Sequence, residues 1–565
     1  MIYEKYKKDF WAFLALGIIF VLYCVVFWGR WGDVMVDCPR ELYLPSQIAE
    51  GKGFYTEVFS LYPPLGYYLN AFFVKIFGNS LNLFYLLGCL NSGIILVLVY
   101  LISRRFSGSL LSFSVSALVL CHCFISYSPI TNYIFPYSYS VVYALTCFLA
   151  SVYLLIYYFK ANFKTKYLLL SCLLGGLCTA FKFEFALVFI PLFFVLILKE
   201  KSLSKIFYGI FYFILPVILP FLVNIDGIKI FVDNFFAFCS SPSSREFLKT
   251  MSIKTPKAYI ISTAKDIFFF LILFVPSYFI LLKEEKLHSL LKKYGACILC
   301  AAFLYGITAF VYDRKIYLFS WLTLVCVWFI IKYFKDEKTD FNFLTFVLSL
   351  ILFLSSLRVG GYLASNHYGK YYLPLFLIVF FCLYLPQILK KYQINYEQNI
   401  SCILMCFALF NLVFCISSVY SGKNYRIETD KGTIFSSYPV GKTVEETSTY
   451  LKQISNVKDR VLVLPEGLMV NYLSDRKSDD MLYQLLPNHI EILGEDKIVD
   501  KMKKNPAQYV VLTSLTASAY GKTYFCSDYA QNICDFINNN YDYLKTFENK
   551  ENKRSFMMMV LRLNK

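Results

Sequence analysis

The stretch best equipped for chemistry reads Gly32-Asp33-Val34-Met35-Val36-Asp37-Cys38-Pro39-Arg40-Glu41. Pro45, Glu50-Gly51, Tyr55, Glu57 and Leu61-Tyr62-Pro63-Pro64-Leu65-Gly66-Tyr67-Tyr68 follow. If Asp37 opens a helix, Arg40 and Glu41 sit one turn on, on the same face. Aspartate is a favoured N-cap and Pro39 is tolerated in the first turn, whereas Pro45 predicts a short or broken helix. A carboxylate beside a guanidinium suits a base that must stay ionised while facing a phosphate leaving group. The same residues also read as an ordinary cap with a surface ion pair. Glu57 is either a second carboxylate for hydroxyl groups or a surface residue.

Further charges interrupt apolar runs. Lys182 and Glu184 do so in Phe181-Lys182-Phe183-Glu184-Phe185. Charges near membrane depth are functional candidates, although these two also read as a mutually neutralising pair at a turn. Arg358 follows an apolar run and either holds an anion or ends a helix. His367 stands in a short loop, Ser365-Asn366-His367-Tyr368, and Lys370 follows it. Asp33 and Asp37 are four apart, so there is no tight Asp-x-Asp pair for a metal. There is no phosphate-binding glycine loop, dinucleotide fingerprint or zinc spacing. Of the 18 cysteines, most fall in apolar runs and read as small hydrophobes. Cys297-x-x-Cys300 has no second pair, which weighs against a zinc or redox site. A Cys526–Cys534 disulfide is open.

The elements that must hold these residues are set by composition. The 565 residues are 58% hydrophobic, 19% aromatic and 16% charged, with mean hydropathy +0.54. Soluble chains run roughly 45–50% apolar and about 25% charged. A soluble multidomain enzyme, a disordered chain and a small disulfide scaffold are excluded. The apolar residues fall in blocks of bilayer length: near 10–28, 81–103, 108–126, 138–159, 167–181, 185–198, 206–223, 267–282, 295–311, 316–332, 342–357, 373–389 and 400–419. These predict about thirteen transmembrane helices, the pair around Phe181–Phe185 reading alternatively as one long broken helix. Basic connectors such as Arg104-Arg105, Lys160/Lys164/Lys166, Lys199/Lys201/Lys205 and Lys390-Lys391 fall on one side if the N-terminus is cytoplasmic. The net charge of +17 is then a topology signal and not a sign of nucleic acid.

This reading gives a polytopic α-helical membrane protein. Residues 1–419 form the transmembrane part, with a first outside loop at 29–80 and a middle outside loop at 224–266. Residues 420–565 form a small extracytoplasmic α/β domain. Tyr62-Pro63-Pro64 fixes an extended entry to an amphipathic helix over 65–77 that suits the headgroup layer. In the tail, Val461–Leu464, Tyr509–Leu512 and Phe556–Leu563 read as strands, and 481–503 and 528–546 as helical.

The ordered set Asp37-x-x-Arg40-Glu41, Gly51-x-Gly53-x-Tyr55, Tyr62-Pro63-Pro64-Leu65-x-Tyr67-Tyr68 and Phe77-Gly78 resembles the first outside loop of GT-C glycosyltransferases. It is most similar to bacterial relatives of protein O-mannosyltransferases and of the lipid A aminoarabinose transferase. Gly176-Leu177-x-x-Ala180-Phe181-Lys182-x-Glu184, Arg358…Tyr368-Gly369…Pro374 and Leu464-Pro465-Glu466-Gly467…Asn471-Tyr472 resemble later segments of the group. The resemblance implies a multispanning core in the cell (inner) membrane and a polyprenyl-phosphate sugar donor. It implies a glycan, lipid or protein acceptor and a catalytic carboxylate at Asp37. No cofactor is implied, and the lack of Asp-x-Asp favours metal-independent chemistry.

Transfer from such a donor needs a base for the acceptor hydroxyl and cations for the departing phosphate. Asp37 is the expected base, with Glu57 as second carboxylate. Arg40, Lys182, Arg358 and Lys370 are the expected phosphate cations. Glu41, Tyr55, Tyr62, Glu184 and His367 are the expected substrate contacts. Two alternatives remain: a flippase for lipid-linked sugars, and a polysaccharide polymerase or ligase in which Arg245 and Lys249 of the middle loop would matter more than Asp37.

Overall fold

The computed structural model describes residues 2–124, 130–160, 164–200, 202–250, scattered positions from 257 to 271, 321–361, 363, 367–389 and 396–564. Two of the expected spans, 267–282 and 295–311, fall largely or wholly outside these residues. The first helices are α1 (Ile2–Phe27), α2 (Cys38–Ala49), α3 (Leu65–Phe77), α4 (Leu81–Ser103), α5 (Ser109–Val119) and α6 (Tyr139–Lys160). They are followed by α7 (Thr165–Phe181), α8 (Ala186–Glu200), α9 (Leu203–Ile218), α10 (Asp226–Ser240) and α11 (Pro242–Thr250). Later helices run over Leu322–Lys335, Asp340–Arg358, Leu373–Val379 (continuing to Leu389) and Tyr396–Gly422.

Among the described residues, six helices are long and apolar enough to cross a bilayer, and five shorter apolar helices accompany them. The polytopic helical class therefore holds; the expected count of thirteen includes two spans that lie largely or wholly outside the described residues. Helix α4 starts where Ser80 Oγ accepts the Leu83 N–H at 3.2 Å, a side-chain cap. Helix α7 stops at Phe181, Lys182 is extended, and a short turn over Phe183–Phe185 leads into α8. The break is thus a real interruption, centred on the charged residues.

Two expectations need correction. Pro45 neither shortens nor breaks its helix, for α2 runs twelve residues through it. The lost backbone bond is tolerated because Tyr43, Leu44 and Pro45 are all buried among neighbouring elements. The described part of the middle loop folds as α10 and α11. In the tail, helix stops at Asn540 and Tyr541–Glu551 is a strand. Three consecutive asparagines, poor helix formers, end the helix, and the following chain pairs with the last strand.

The C-terminal part opens with a hairpin, β1 (Tyr425–Thr429) and β2 (Gly432–Ser436), and a helix over Tyr438–Ile454, none of which stood out in the sequence. Then comes a four-stranded sheet of β3 (Val461–Leu464), β4 (Tyr509–Thr513), β5 (Tyr541–Glu551) and β6 (Arg554–Leu563) in the order β3-β4-β6-β5. β3 and β4 are parallel; the other pairs are antiparallel. The expected 481–503 helix is two helices, Pro487–Leu493 and Glu495–Lys504, parted at Gly494 with φ +83°. Cys526 and Cys534 are disulfide-bonded.

Strand alternation explains how this sheet joins the rest. Val461 and Val463 belong to the same buried cluster as the helical bundle. Leu462 and Leu464 point to the opposite face, into a separate core with Leu482, Ile498 and Ile533. A third cluster packs the first loop (Tyr43, Phe54, Val58, Phe59) against Phe231 of α10 and against Leu468 and Tyr483 of the C-terminal part. The first loop is thereby clamped between the helices and the sheet.

Candidate active site

Asp37 sits at φ +57° and ψ −55°, a conformation L-residues rarely adopt. The Val36 carbonyl accepts the Cys38 N–H across it at 2.6 Å. This is the γ-turn form with positive φ at its centre, which is rare and strained. Asp33 braces the turn from before, its Oδ1 accepting the N–H groups of Met35 at 2.7 Å and Val36 at 3.0 Å. Asp37 occupies the position before α2 but does not cap it. Its Oδ1 instead accepts from Arg40 Nη1 at 2.7 Å. Its own N–H donates to Glu466 Oε1 at 2.8 Å, across 429 residues of chain.

Arg40 is almost fully buried. Its Nη2 donates to the Tyr137 carbonyl at 2.9 Å, and its guanidinium lies 4.6 Å from the Tyr62 ring centre. The Lys182 ammonium stands over the same ring at 4.8 Å and over Tyr137 at 5.3 Å. Tyr137 meets Tyr368 edge-on at 4.8 Å, and the Arg358 guanidinium lies 5.7 Å from the Tyr368 ring. Arg358 Nη2 pairs with Glu184 Oε1 at 2.5 Å. An unbroken set of contacts therefore runs Asp37–Arg40–Tyr62–Lys182–Tyr137–Tyr368–Arg358–Glu184. Lys182 is only 4% exposed, and among the described residues no carboxylate lies within ion-pair distance of its ammonium. Tyrosine faces offset part of the cost of burying that charge.

Six sequence-predicted residues thus converge: Asp37, Arg40, Tyr62, Lys182, Glu184 and Arg358. Glu41 adjoins them but is spent on structure, accepting from Tyr67 Oη at 2.8 Å and from the Tyr139 N–H at 2.8 Å. Burial pushes its carboxyl above the usual range, against the pull of Arg40. Tyr55 supports Tyr62 from behind, its hydroxyl donating to the Tyr62 carbonyl at 2.6 Å. Glu57 stands apart: it is exposed, and its Oε2 accepts the Gly53 N–H at 2.6 Å within a turn. Lys370 is fully buried near Cys123 and Cys415. His367 is buried next to Tyr368, with Nδ1 accepting the Gly369 N–H at 3.4 Å. Arg245 donates to the Ser240 carbonyl at 3.0 Å on exposed α11, where Lys249 pairs with Glu246.

Glu466, in the loop after β3, stood in the sequence only within a tail motif and not among the expected site residues. It is 5% exposed. Burial, then the neighbouring Asp37 charge, pushes its carboxyl up to about 8. Tyr137 was missed as well, because nothing local marks one tyrosine among 47. Among the described residues, no group of three or more His, Cys, Asp or Glu side chains could share a metal ion. Chemically, the cluster offers a carboxyl group on a strained turn and three cations, Arg40, Lys182 and Arg358, set among tyrosine rings. It also offers a second carboxyl that burial favours in its neutral form.

Residues 62–223 match the family of dolichyl-phosphate-mannose-protein mannosyltransferases. The matched stretch carries Tyr62, Tyr137, Lys182 and Glu184, and it bears out the likeness to GT-C glycosyltransferases read from the ordered motifs. No curated protein sequence matches. Among solved structures, the chain is similar to an Archaeoglobus fulgidus oligosaccharyltransferase in complex with zinc and sulfate. That match has 9% identity and a TM-score of 0.48, covering 88% of this chain and 68% of that one. It is also similar to ArnT from Cupriavidus metallidurans bound to undecaprenyl phosphate, with 10% identity and a TM-score of 0.44, covering 96% and 97%. A third match is the archaeal oligosaccharyltransferase AglB with an inhibitory peptide and a dolichol-phosphate, with 10% identity and a TM-score of 0.45, covering 90% and 70%. No residue role passes from these structures to this chain.

Proposed function

We propose that the protein is a membrane glycosyltransferase that moves a sugar from a polyprenyl-phosphate donor to an acceptor hydroxyl at the outer face of a bacterial cytoplasmic membrane. The observation that carries this reading is the cluster around Tyr62, where Arg40, bonded to Asp37, and Lys182 stand over the same ring, and Tyr137 and Tyr368 link Lys182 to Arg358. A base and a phosphate site must lie this close if one bond is to form as another breaks.

In the reaction, Asp37 takes the proton of the acceptor hydroxyl. The acceptor oxygen forms its bond to the anomeric carbon as the bond from that carbon to the phosphate oxygen breaks. The electron pair leaves with the phosphate, whose added charge is met by Lys182 and Arg358. Arg40 aims Asp37 through its 2.7 Å hydrogen bond to Oδ1. One in-line displacement inverts the anomeric centre. Glu184 orients Arg358, and Tyr62 packs against both Arg40 and Lys182. Residues 1–419 carry this chemistry and 420–565 lie outside, with the N-terminus cytoplasmic.

Purified protein in detergent tests the reading. A panel of radiolabelled polyprenyl-phosphate sugars, mannose included, is offered with membrane-lipid and peptide acceptors. Covalent transfer without a gradient or sealed vesicle supports an enzyme. Uptake into sealed proteoliposomes with no covalent product from any member of the panel would mark a carrier instead.

A further inference from the structure

Glu466 has no part in the chemistry above, yet it touches the residue on which that chemistry turns. Its Oε1 accepts the Asp37 N–H at 2.8 Å. That N–H belongs to the central residue of a strained γ-turn, whose conformation persists only where surroundings over-determine it. Val36–Cys38 closes the turn, Asp33 braces its entry and Glu466 holds its centre. Around Glu466 stand Asp37 and Arg40 from the first loop and Tyr483, Gln484, Tyr520 and Tyr529 from the C-terminal part.

The loop that delivers Glu466 is itself fixed. The Pro465 carbonyl accepts the Leu485 N–H at 2.8 Å. A Cβ at Gly467 would lie 2.5 Å from Val463 Cγ1 and 3.1 Å from Met35 Cε, so only glycine lets this loop close on the first one. Glu466 is thus carried on a rigid edge of the sheet to a single backbone donor.

We infer that Glu466 is a positioning residue for Asp37: the C-terminal domain sets the aim of the base by holding its backbone, and so forms part of the catalytic centre. The inference rests on Asp37 being the base. A buried carboxyl that is neutral over much of the working range donates no charge to the turn. A glutamine, which offers the same carbonyl acceptor, therefore reproduces it.

The test compares Glu466→Ala, Glu466→Gln and Asp37→Asn in the full-length protein. Two readouts are used: transfer from whichever labelled polyprenyl-phosphate sugar the wild type turns over, and hydrogen exchange of the peptide spanning 33–42. A misplacement of about 1 Å can cost about 100-fold in rate. Glu466→Ala should therefore lose roughly 30–100-fold in kcat, with donor KM within about threefold, and exchange faster at the Asp37 amide. Glu466→Gln should stay within about fivefold of wild type with protected exchange. The proposal is overturned if Glu466→Ala transfers at the wild-type rate while Asp37→Asn is inactive, or if the Asp37 amide is equally protected in Glu466→Ala. It is overturned too if Gln fails to rescue. A fully active Asp37→Asn would instead sink the assignment of the base, whatever the Glu466 variants do.

Discussion

At Lys182 a buried ammonium rests between two tyrosine faces while the neighbouring carboxylate, Glu184, is engaged by Arg358. Its charge is what a phosphate would meet, and charge-assisted contacts are worth about 1.5–3 kcal/mol each. Lys182→Met should therefore weaken donor binding by about 10–100-fold with the fold intact, measured as KM for the lipid-linked sugar and as affinity for undecaprenyl phosphate. Glu57→Gln, by contrast, should change neither, since its carboxylate only closes a turn. A second residue-scale prediction concerns pH. Burial and the neighbouring Asp37 charge push the Glu466 carboxyl up to about 8 in the folded protein, above its unfolded value. The native state therefore holds an extra proton between the two values, and stability falls as pH rises through that window. Glu466→Gln removes this loss. Its melting temperature in detergent should match wild type near pH 5 and exceed it increasingly up to about pH 8.

At the scale of elements, the site depends on backbones that approach closely. A Cβ on Gly88 of α4 would fall 1.8 Å from the Ile134 carbonyl oxygen, in the segment that presents Tyr137. Backbone cannot yield as a side-chain tip can, so Gly88→Ala should destabilise by about 1–3 kcal/mol, seen in thermal unfolding, and should lower transfer more than its loss of stability explains. Much of this level was legible in the sequence. The spans at α4 and α6, the helix over 65–77, the strands at 461–464 and 509–512 and the break near Lys182 follow from apolar runs, proline and charge. What failed has a common cause. Pro45 sits inside α2, and Tyr541–Glu551 is a strand, because tertiary packing overrides local preference. The hairpin at 425–436 and the γ-turn at Asp37 have no periodicity to betray them. The turn's supporting partner is 429 residues away.

At the scale of the whole molecule, the C-terminal part does not hang from the membrane portion but closes over the first loop. Tyr43 Oη donates to Asp480 at 2.7 Å, the Phe59 N–H donates to the Asp480 carbonyl at 3.0 Å, and Tyr483 Oη donates to the Phe59 carbonyl at 2.9 Å. Ser241, between α10 and α11, and Ser243 of α11 donate to the Glu491 carboxylate. The hydrogen bond from the Asp37 N–H to Glu466 makes the C-terminal part a member of the frame that holds Asp37. Orientation can be read with the protein's own cysteines. Cys239 is exposed on α10. It should react with a membrane-impermeant maleimide added to spheroplasts, and Cys239→Ser should remove that labelling; labelling only after lysis would reverse the topology. The central claim rests on Asp37, and its most direct measurement is the single-turnover transfer rate of Asp37→Asn with a labelled lipid-linked sugar. A positioned general base contributes about 10²–10⁴-fold. A loss in that range with undecaprenyl-phosphate affinity retained is the result predicted here, and transfer at the wild-type rate is the result that would contradict it.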